Sequence, residues 1–160
     1  MQFRVVLRAI GLFLMLFSLT MFPPVAVSLW YGESAWPFTS AFLGTLLTGL
    51  LAWWSCRRQR KDLRLRDGFV IVVVFWVVLT AYGSLPFIIS SHAQMSITDA
   101  VFETMSGLTT TGATVIQKLE GLPRGVLYHR AQLQWLGGMG VIVLAVAILP
   151  MLGIGGMQLY

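Results

Sequence analysis

Residues 106–114 read SGLTTTGAT, a polar run punctuated by glycine in a chain whose long segments are otherwise apolar. The segment that leads into it, residues 97–108, is about twelve residues long, whereas a helix needs roughly 20 to cross a bilayer. A segment too short to cross, and ending in hydroxyl groups and a glycine, is typical of a re-entrant half-helix that carries backbone carbonyls to membrane depth. The sequence therefore predicts a pore helix at 97–108 and an ion filter at 109–114.

Composition indicates the class of protein. Apolar residues make up 57% of the chain and charged residues 11%, with a mean hydropathy of +0.80, which leaves too little polar surface for a soluble globular domain. The net charge of +5 does not indicate a nucleic-acid partner, because most basic residues lie beside long apolar runs, as topology signals do. The sequence has no paired nucleophile and base and no phosphate-binding glycine loop, so an enzyme is not indicated. The lipid bilayer is the expected partner.

Four apolar runs are long enough to cross a bilayer, at about Val5–Trp30, Phe38–Trp54, Phe69–Ser90 and Ala131–Gly156. Six of the eleven Lys and Arg residues lie in the loop at 57–67, which the positive-inside rule puts in the cytoplasm. With Arg4 and Arg8 also inside, four spans return both termini to the cytoplasm. The predicted fold class is an all-α integral membrane protein with four transmembrane helices, one re-entrant pore helix and a filter loop.

In this topology the segment 97–108 enters and leaves by the outer face, since a true crossing would put the C-terminus outside. Three basic residues argue against it, because Lys118, Arg124 and Arg130 lie in or beside the outer loop, with only Glu120 to offset them. The length of the segment is the stronger of the two signals. We therefore expect the loop after residue 114 to lie on the outer side of the membrane.

The residues around the predicted pore helix suit a cation at its end. Ser96 offers a side-chain cap and Asp99 an acidic residue in the first turn, so the helix begins near the outer surface and its partially negative end points inward. The β-branched threonines that follow favour extended backbone, and Gly112 tolerates conformations that side chains forbid. We expect the filter to comprise Thr109, Thr110, Thr111, Gly112, Ala113 and Thr114.

Potassium is the ion that this filter chemistry indicates. Backbone carbonyls that replace a hydration shell suit potassium, whereas divalent ions would require carboxylates, and residues 109–114 include none. We expect the carbonyls of Thr110, Thr111 and Gly112 to bind it. A short run of threonines and a glycine could instead be a polar turn between two membrane elements, and its position after a short helix and before a glycine-rich span favours the filter.

Other residues allow two interpretations each. Asp99 and Glu103 are expected to support the pore helix, where Glu103 could attract cations at the pore mouth or make a buried hydrogen bond to the filter backbone. The glycines at 137, 138 and 140 could form a hinge or allow close packing against the pore helix. His92 and His129 are expected to be solvated at the outer interface.

Four separated motifs carry a resemblance to a known family. They are DAVFE at 99–103, SGLTTTGAT at 106–114, QWLGGMG at 134–140 and LGIGGMQLY at 152–160. In this order they resemble the bacterial Trk-type potassium uptake membrane subunit of the Trk/Ktr/HKT superfamily, and the resemblance covers the N-terminal portion of that subunit.

The resemblance implies a protein of four linked repeats around one ion path, each with an outer helix, a re-entrant pore helix with its filter, and an inner helix. This chain would hold a leading transmembrane helix pair at 1–56, the cytoplasmic basic loop at 57–67 and a first pore repeat at 68–156. Within that repeat the resemblance implies an outer helix at 69–90, the pore helix at 97–108, the filter at 109–114 and an inner helix at 131–153. Residues 157–160 would be a truncated end.

The family also implies a function and partners. A complete transporter would carry potassium, as the transported ion, inward across the bacterial inner membrane, by symport with protons or under a peripheral cytoplasmic nucleotide-binding regulatory subunit, and with a second transporter subunit. One repeat supplies a quarter of a filter. The chain is therefore expected to be an incomplete fragment of a transporter, and the alternatives are a homotetrameric potassium channel and a non-transporting structural or interaction fragment.

Overall fold

The computed structural model describes residues 3–56, 65–91, 93 and 95–151, and every regular element within them is a helix. Residues 57–64 of the predicted loop at 57–67, His92 and the end of the chain at 152–160 lie outside the described residues, whereas residues 65–67 of that loop are helical. The helices are α1 (Phe3–Leu19), α2 (Phe22–Trp30), α3 (Trp36–Cys56), α4 (Leu65–Gly83), α5 (Leu85–Ile89), α6 (Ile97–Leu108) and α7 (Arg124–Met151).

Three segments of the described chain are long and apolar enough to cross a membrane, at Arg4–Trp30, Trp36–Cys56 and Val70–Ile89. The first contains both α1 and α2, which are separated by a turn at residues 20–21 just before two prolines. Proline has no N–H group and is tolerated in the first turn of a helix, so it begins a new helix here more readily than it continues the old one. The fourth predicted span lies in α7 and extends past Met151, beyond the described residues.

The structure corrects two of the predicted bounds. The outer helix, predicted as one segment at 69–90, is divided into α4 and α5 at Ser84, because Pro86 cannot donate the hydrogen bond that a continuous helix needs. The inner helix, predicted to begin at 131, begins at Arg124. Hydropathy missed residues 124–130 because they include charged and polar side chains, and the hydrogen-bond partners of these residues lie far away in the sequence.

The helices pack in two connected groups. In the first, α1 lies along α3. In the second, α7 packs on α2 and α6, and α4 joins the two groups by contacting α1 and α6. The buried core at their junction contains Phe17, Met21, Phe38, Ala41, Leu79, Phe87, Ala100, Leu108, Val126 and Leu133. This core holds α6, the predicted pore helix, among α4, α5 and α7.

Glycine allows α1 and α3 to approach closely. A Cβ atom on Gly11 would lie 2.7 Å from the backbone nitrogen of Trp53 and 2.8 Å from the carbonyl oxygen of Gly49. Both neighbouring atoms belong to the backbone of α3 and cannot rotate away. Small residues at a helix interface are a common means of close packing in membranes.

The substitution Gly11→Ala is expected to destabilise the protein by about 1–3 kcal/mol, because the added methyl group overlaps the α3 backbone. Gly44 on α3 is the matched control, since a Cβ atom there meets nothing within 4 Å, and Gly44→Ala should be neutral or stabilising through its higher helix propensity. Thermal unfolding of both variants in detergent tests this. Equal effects of the two substitutions would contradict the close packing.

Candidate ion-filter site

The N-terminus of α6 is fixed by a side-chain cap. Ser96 has extended backbone (φ −64°, ψ 160°), and its Oγ accepts a hydrogen bond from the backbone N–H of Asp99 at 3.1 Å. The Ser96 hydroxyl in turn donates to the Asp99 carboxylate at 2.7 Å. Asp99 therefore serves the start of the helix, where a negative charge is favourable. The helix occupies Ile97–Leu108, the range predicted from the sequence.

The C-terminus of α6 turns sharply into the filter segment, residues 109–114. The N–H of Thr111 donates to the carbonyl of Ser106 at 3.0 Å, and the N–H of Thr110 to that of Gly107 at 2.9 Å. This is the Schellman pattern, which requires a left-handed residue after the helix. That residue is Thr110, with φ +57°. A β-branched side chain is strained in this conformation, and nothing in the sequence signalled it.

Gly112 also has left-handed backbone, with φ +75°, a conformation that glycine adopts easily because it has no side chain. The carbonyls on either side of the central filter residues are engaged within the chain. Ser106 Oγ donates to the Ala113 carbonyl at 2.6 Å, and Thr110 Oγ1 to the Thr109 carbonyl at 2.7 Å. Among the hydrogen bonds of the described residues, none is accepted by the carbonyls at 110, 111 or 112. The carbonyl of Thr114 likewise accepts none in the described chain.

Glu103 lies behind the end of the filter segment. Its carboxylate accepts hydrogen bonds from Thr114 Oγ1 at 3.0 and 3.1 Å and from the backbone N–H of Val115 at 3.1 Å. The side chain is only 1% exposed, so it is shielded from solvent. Of the two interpretations of Glu103, the geometry matches the buried hydrogen bond to the backbone that follows the helix.

Arg130 of α7 completes this cluster by forming an ion pair with the Glu103 carboxylate. The guanidinium is 19% exposed. Sequence reasoning missed Arg130 as a site residue and counted it as an unfavourable charge in the outer loop. Removing one partner of a buried ion pair is costly. A search for a cation to pair with Glu103 could therefore have identified Arg130 from the sequence.

Helix α7 closely contacts the end of α6 at a glycine. A Cβ atom on Gly137 would lie 2.6 Å from the carbonyl carbon of Leu108 and 2.8 Å from its Cα. At Gly138 the nearest atom is Thr110 Cγ2 at 3.8 Å, an ordinary contact. Close packing, the second of the two interpretations, therefore applies at Gly137.

His129 is buried, and the expectation that it is solvated is wrong. The residue is 2% exposed, and its Nε2 lies 3.0 Å from the carbonyl oxygen of Gly83. Because a carbonyl only accepts, Nε2 carries the proton. Pro86 cannot serve that carbonyl as a donor, and Phe87 donates to Ser84 instead. His129 thus supplies the hydrogen bond that the break between α4 and α5 removes.

Replacing Arg130 with Gln is expected to destabilise the protein by roughly 3–5 kcal/mol, because it leaves the buried Glu103 carboxylate without its counter-charge. The double variant Glu103→Gln with Arg130→Gln should recover much of this loss. Arg124→Gln, which removes an exposed guanidinium from the same helix, is the control and should have little effect. Thermal unfolding in detergent measures all three, and a double variant no better than Arg130→Gln alone would contradict the pairing.

The substitution Gly137→Ala should destabilise the protein by about 1–3 kcal/mol, since its methyl group overlaps the main chain of Leu108. The neighbouring Gly138→Ala adds the same methyl group to the same helix without a short contact, and should not destabilise. The same unfolding assay compares the two. Equal behaviour would rule out a close approach of α7 to the end of the pore helix at residue 137.

Comparison with known proteins reveals the family. Residues 36–160 match the TrkH family, described as "Cation transport protein". Over 161 residues the chain is 56% identical to the Trk system potassium uptake protein TrkH of Vibrio parahaemolyticus and 53% identical to that of Escherichia coli K12, with 100% of this chain and 33% of each relative covered. The protein TrkG of Escherichia coli K12 is 47% identical over 158 residues, with 98% of this chain and 33% of the relative covered.

A solved structure also matches. The crystal structure of the potassium transporter TrkH from Vibrio parahaemolyticus superposes with a TM-score of 0.91 at 54% identity, covering 99% of this chain and 34% of that one. The chain thus spans about a third of the length of the curated relatives it matches, corresponding to their N-terminal third. It belongs to the TrkH family of cation transport proteins.

Proposed function

We propose that these residues form the leading helix pair and the first pore repeat of a Trk-type potassium uptake protein. In the repeat, α4 and α5 are the outer helix, α6 is the re-entrant pore helix, residues 109–114 are the filter segment and α7 is the inner helix. The observation that carries the proposal is the filter segment itself, with three adjacent carbonyls that accept no hydrogen bond in the described chain. Relatives named as potassium uptake proteins support the choice of ion.

The carbonyls of Thr110, Thr111 and Gly112 replace part of the hydration shell of a potassium ion. The C-terminal end of α6 adds a partial negative charge at the same place. Glu103 and Arg130 carry opposite charges behind the segment and cancel each other, so the ion meets neutral carbonyls instead of a fixed carboxylate. This arrangement suits a monovalent cation, which must bind weakly enough to leave again.

One repeat supplies a quarter of a filter, so the path requires three more pore segments. We infer that they come from the further repeats of a longer polypeptide, as the coverage of the relatives suggests. A peripheral nucleotide-binding regulatory subunit and a second transporter subunit remain partners proposed from the family resemblance.

The proposed topology has four transmembrane helices and both termini in the cytoplasm of a bacterial cell, with the protein in the inner membrane. Three candidate spans in the described chain and the basic loop at 57–67 support it. The pairing of Arg130 with Glu103 also removes one of the three basic residues that argued against an outer position for the loop after the filter, because its charge is neutralised inside the protein.

A homotetrameric potassium channel is the second candidate. An exposed apolar concavity of about 450 Å³ lies beside the filter and is lined by Val73, Trp76, Val77, Met105, Thr109 and Val141. A surface of this kind next to a filter segment is expected to be covered by another pore segment. The cover is either a further repeat of the same polypeptide or a second copy of this chain.

Rubidium uptake tests the proposal in cells that lack their own potassium uptake systems. The chain is expressed alone and as a chimera with the remaining two thirds of the Vibrio parahaemolyticus relative. We expect the chimera to take up rubidium and Gly112→Asp to reduce uptake at least about tenfold, because the carboxylate adds a fixed negative charge beside carbonyls that must bind the ion weakly enough to release it.

Gly121→Asp is the matched control, since Gly121 lies in the same loop with open space around it and no left-handed backbone. It should leave uptake within about twofold. Uptake by the chain alone that depends on Gly112 would favour the homotetramer. Undiminished uptake by the Gly112→Asp chimera would overturn the filter assignment, and a chimera that inserts without uptake would favour a structural or interaction role.

A further inference from the structure

The inner helix α7 begins with an unusual cap. The first N–H groups of a helix have no partner within it, and the residue before Arg124 is Pro123, whose side chain has no acceptor. The carboxylate of Glu33 supplies one from a distant part of the chain. Its two oxygens accept hydrogen bonds from the backbone N–H groups of Arg124 at 2.7 Å and of Gly125 at 3.0 Å. A negative charge at this end of a helix is also favourable.

Glu33 is fixed in place by the end of α2. Gly32 has left-handed backbone with φ +69°, its N–H donates to the carbonyl of Leu29 at 3.2 Å, and the N–H of Glu33 donates to that of Ser28 at 2.8 Å. These bonds form a Schellman motif, which stops the helix and sets the direction of the next residue. The cap on α7 is therefore built on the leading helix pair.

The first turns of α7 fit tightly on that pair. A Cβ atom on Gly125 would lie 3.0 Å from a ring carbon of Phe38 and 3.3 Å from the carbonyl oxygen of Pro24. One turn later, the ring of His129 contacts those of Phe38 and Phe87. These contacts leave α7 little freedom to rotate or slide while its cap is intact.

We propose that Glu33 is a positioning residue for the filter, acting through α7. By capping the helix it fixes the position of Arg130, which pairs with Glu103, and Glu103 holds the backbone of Val115 at the end of the filter segment. The leading helix pair would thus help to shape a filter to which it contributes no carbonyl. The link to ion selection rests on the function proposed above, whereas the structural coupling does not.

A simpler role for Glu33 is to attract cations by its charge. Glu33 and Glu120 both line a cavity of about 480 Å³ at this end of the molecule. Glu120 is exposed and makes no hydrogen bond to α7 in the described chain. It is therefore a matched control, since Glu120→Ala removes the same charge from the same cavity and leaves the cap intact.

Amide hydrogen exchange of the 160-residue chain in lipid nanodiscs tests the coupling. We expect Glu33→Ala to speed exchange about fivefold, the factor that corresponds to a lost helix cap, at residues 124–125 and also at Val115. Glu33→Gln keeps the shape and one acceptor and should have a smaller effect at the same positions. Glu120→Ala should change neither region.

Three results would overturn the positioning role. The first is faster exchange at 124–125 with no change at Val115. The second is an equal effect of Glu33→Ala and Glu120→Ala. The third is a loss of protection throughout α1 and α3 in both Glu33 variants, which would make Glu33 a general stabilising residue.

Uptake by the chimera then tests the consequence for selectivity. Glu33→Ala should lower the ratio of potassium to sodium uptake per inserted molecule several-fold, whereas Glu120→Ala should leave the ratio unchanged. A reduced amount of protein with an unchanged ratio would indicate folding alone and overturn the proposal. If the unsubstituted chimera takes up no potassium, the proposed function is wrong, and the exchange experiment still decides whether Glu33 positions the segment.

Discussion

The carboxylate of Glu103 is the constraint on which the rest of the site depends. Removing a charge from water costs several kcal/mol unless it is paired and hydrogen-bonded, and this side chain is 1% exposed. The carboxylate lies on α6 and its partners come from two other places: Thr114 and Val115 lie in the chain after α6, and Arg130 lies on α7. None of these elements can shift without leaving a buried charge or donor unsatisfied.

Local chemistry explains what the sequence could predict. The cap of Ser96, the acidic first turn and the length of α6 all depend on neighbouring residues, and so does the left-handed backbone of Gly112. Hydropathy alone put the start of α7 too late, because the polar groups there have distant partners. The imidazole of His129 bonds to the carbonyl of Gly83. The carboxylate of Glu33 accepts a hydrogen bond from the N–H of Arg124, 91 positions away. Such pairs follow from packing, which one sequence does not show.

The break between α4 and α5 illustrates how packing compensates for local sequence. At this break the carbonyl of Gly83 lacks a main-chain donor, because Pro86 has no N–H group and the N–H of Phe87 bonds to Ser84, and in an apolar setting that loss costs free energy. The carbonyl of Gly83 receives the imidazole of His129 instead. The same interaction links α7 to the end of α4. His129 is polar, which suggested a solvated side chain. It is buried instead, because its imidazole supplies the donor that the Gly83 carbonyl lacks.

Thr110 has left-handed backbone with φ +57° although its side chain is β-branched. Left-handed backbone is unfavourable for a β-branched residue, so it persists only where surrounding contacts hold it. Those contacts are the main-chain bonds from the end of α6 and the tight approach of Gly137 to Leu108. All of them are made by α6, the residues directly after it and α7. The turn at Thr110 therefore depends on the packing of α7 against the end of α6, and α7 is itself capped by Glu33.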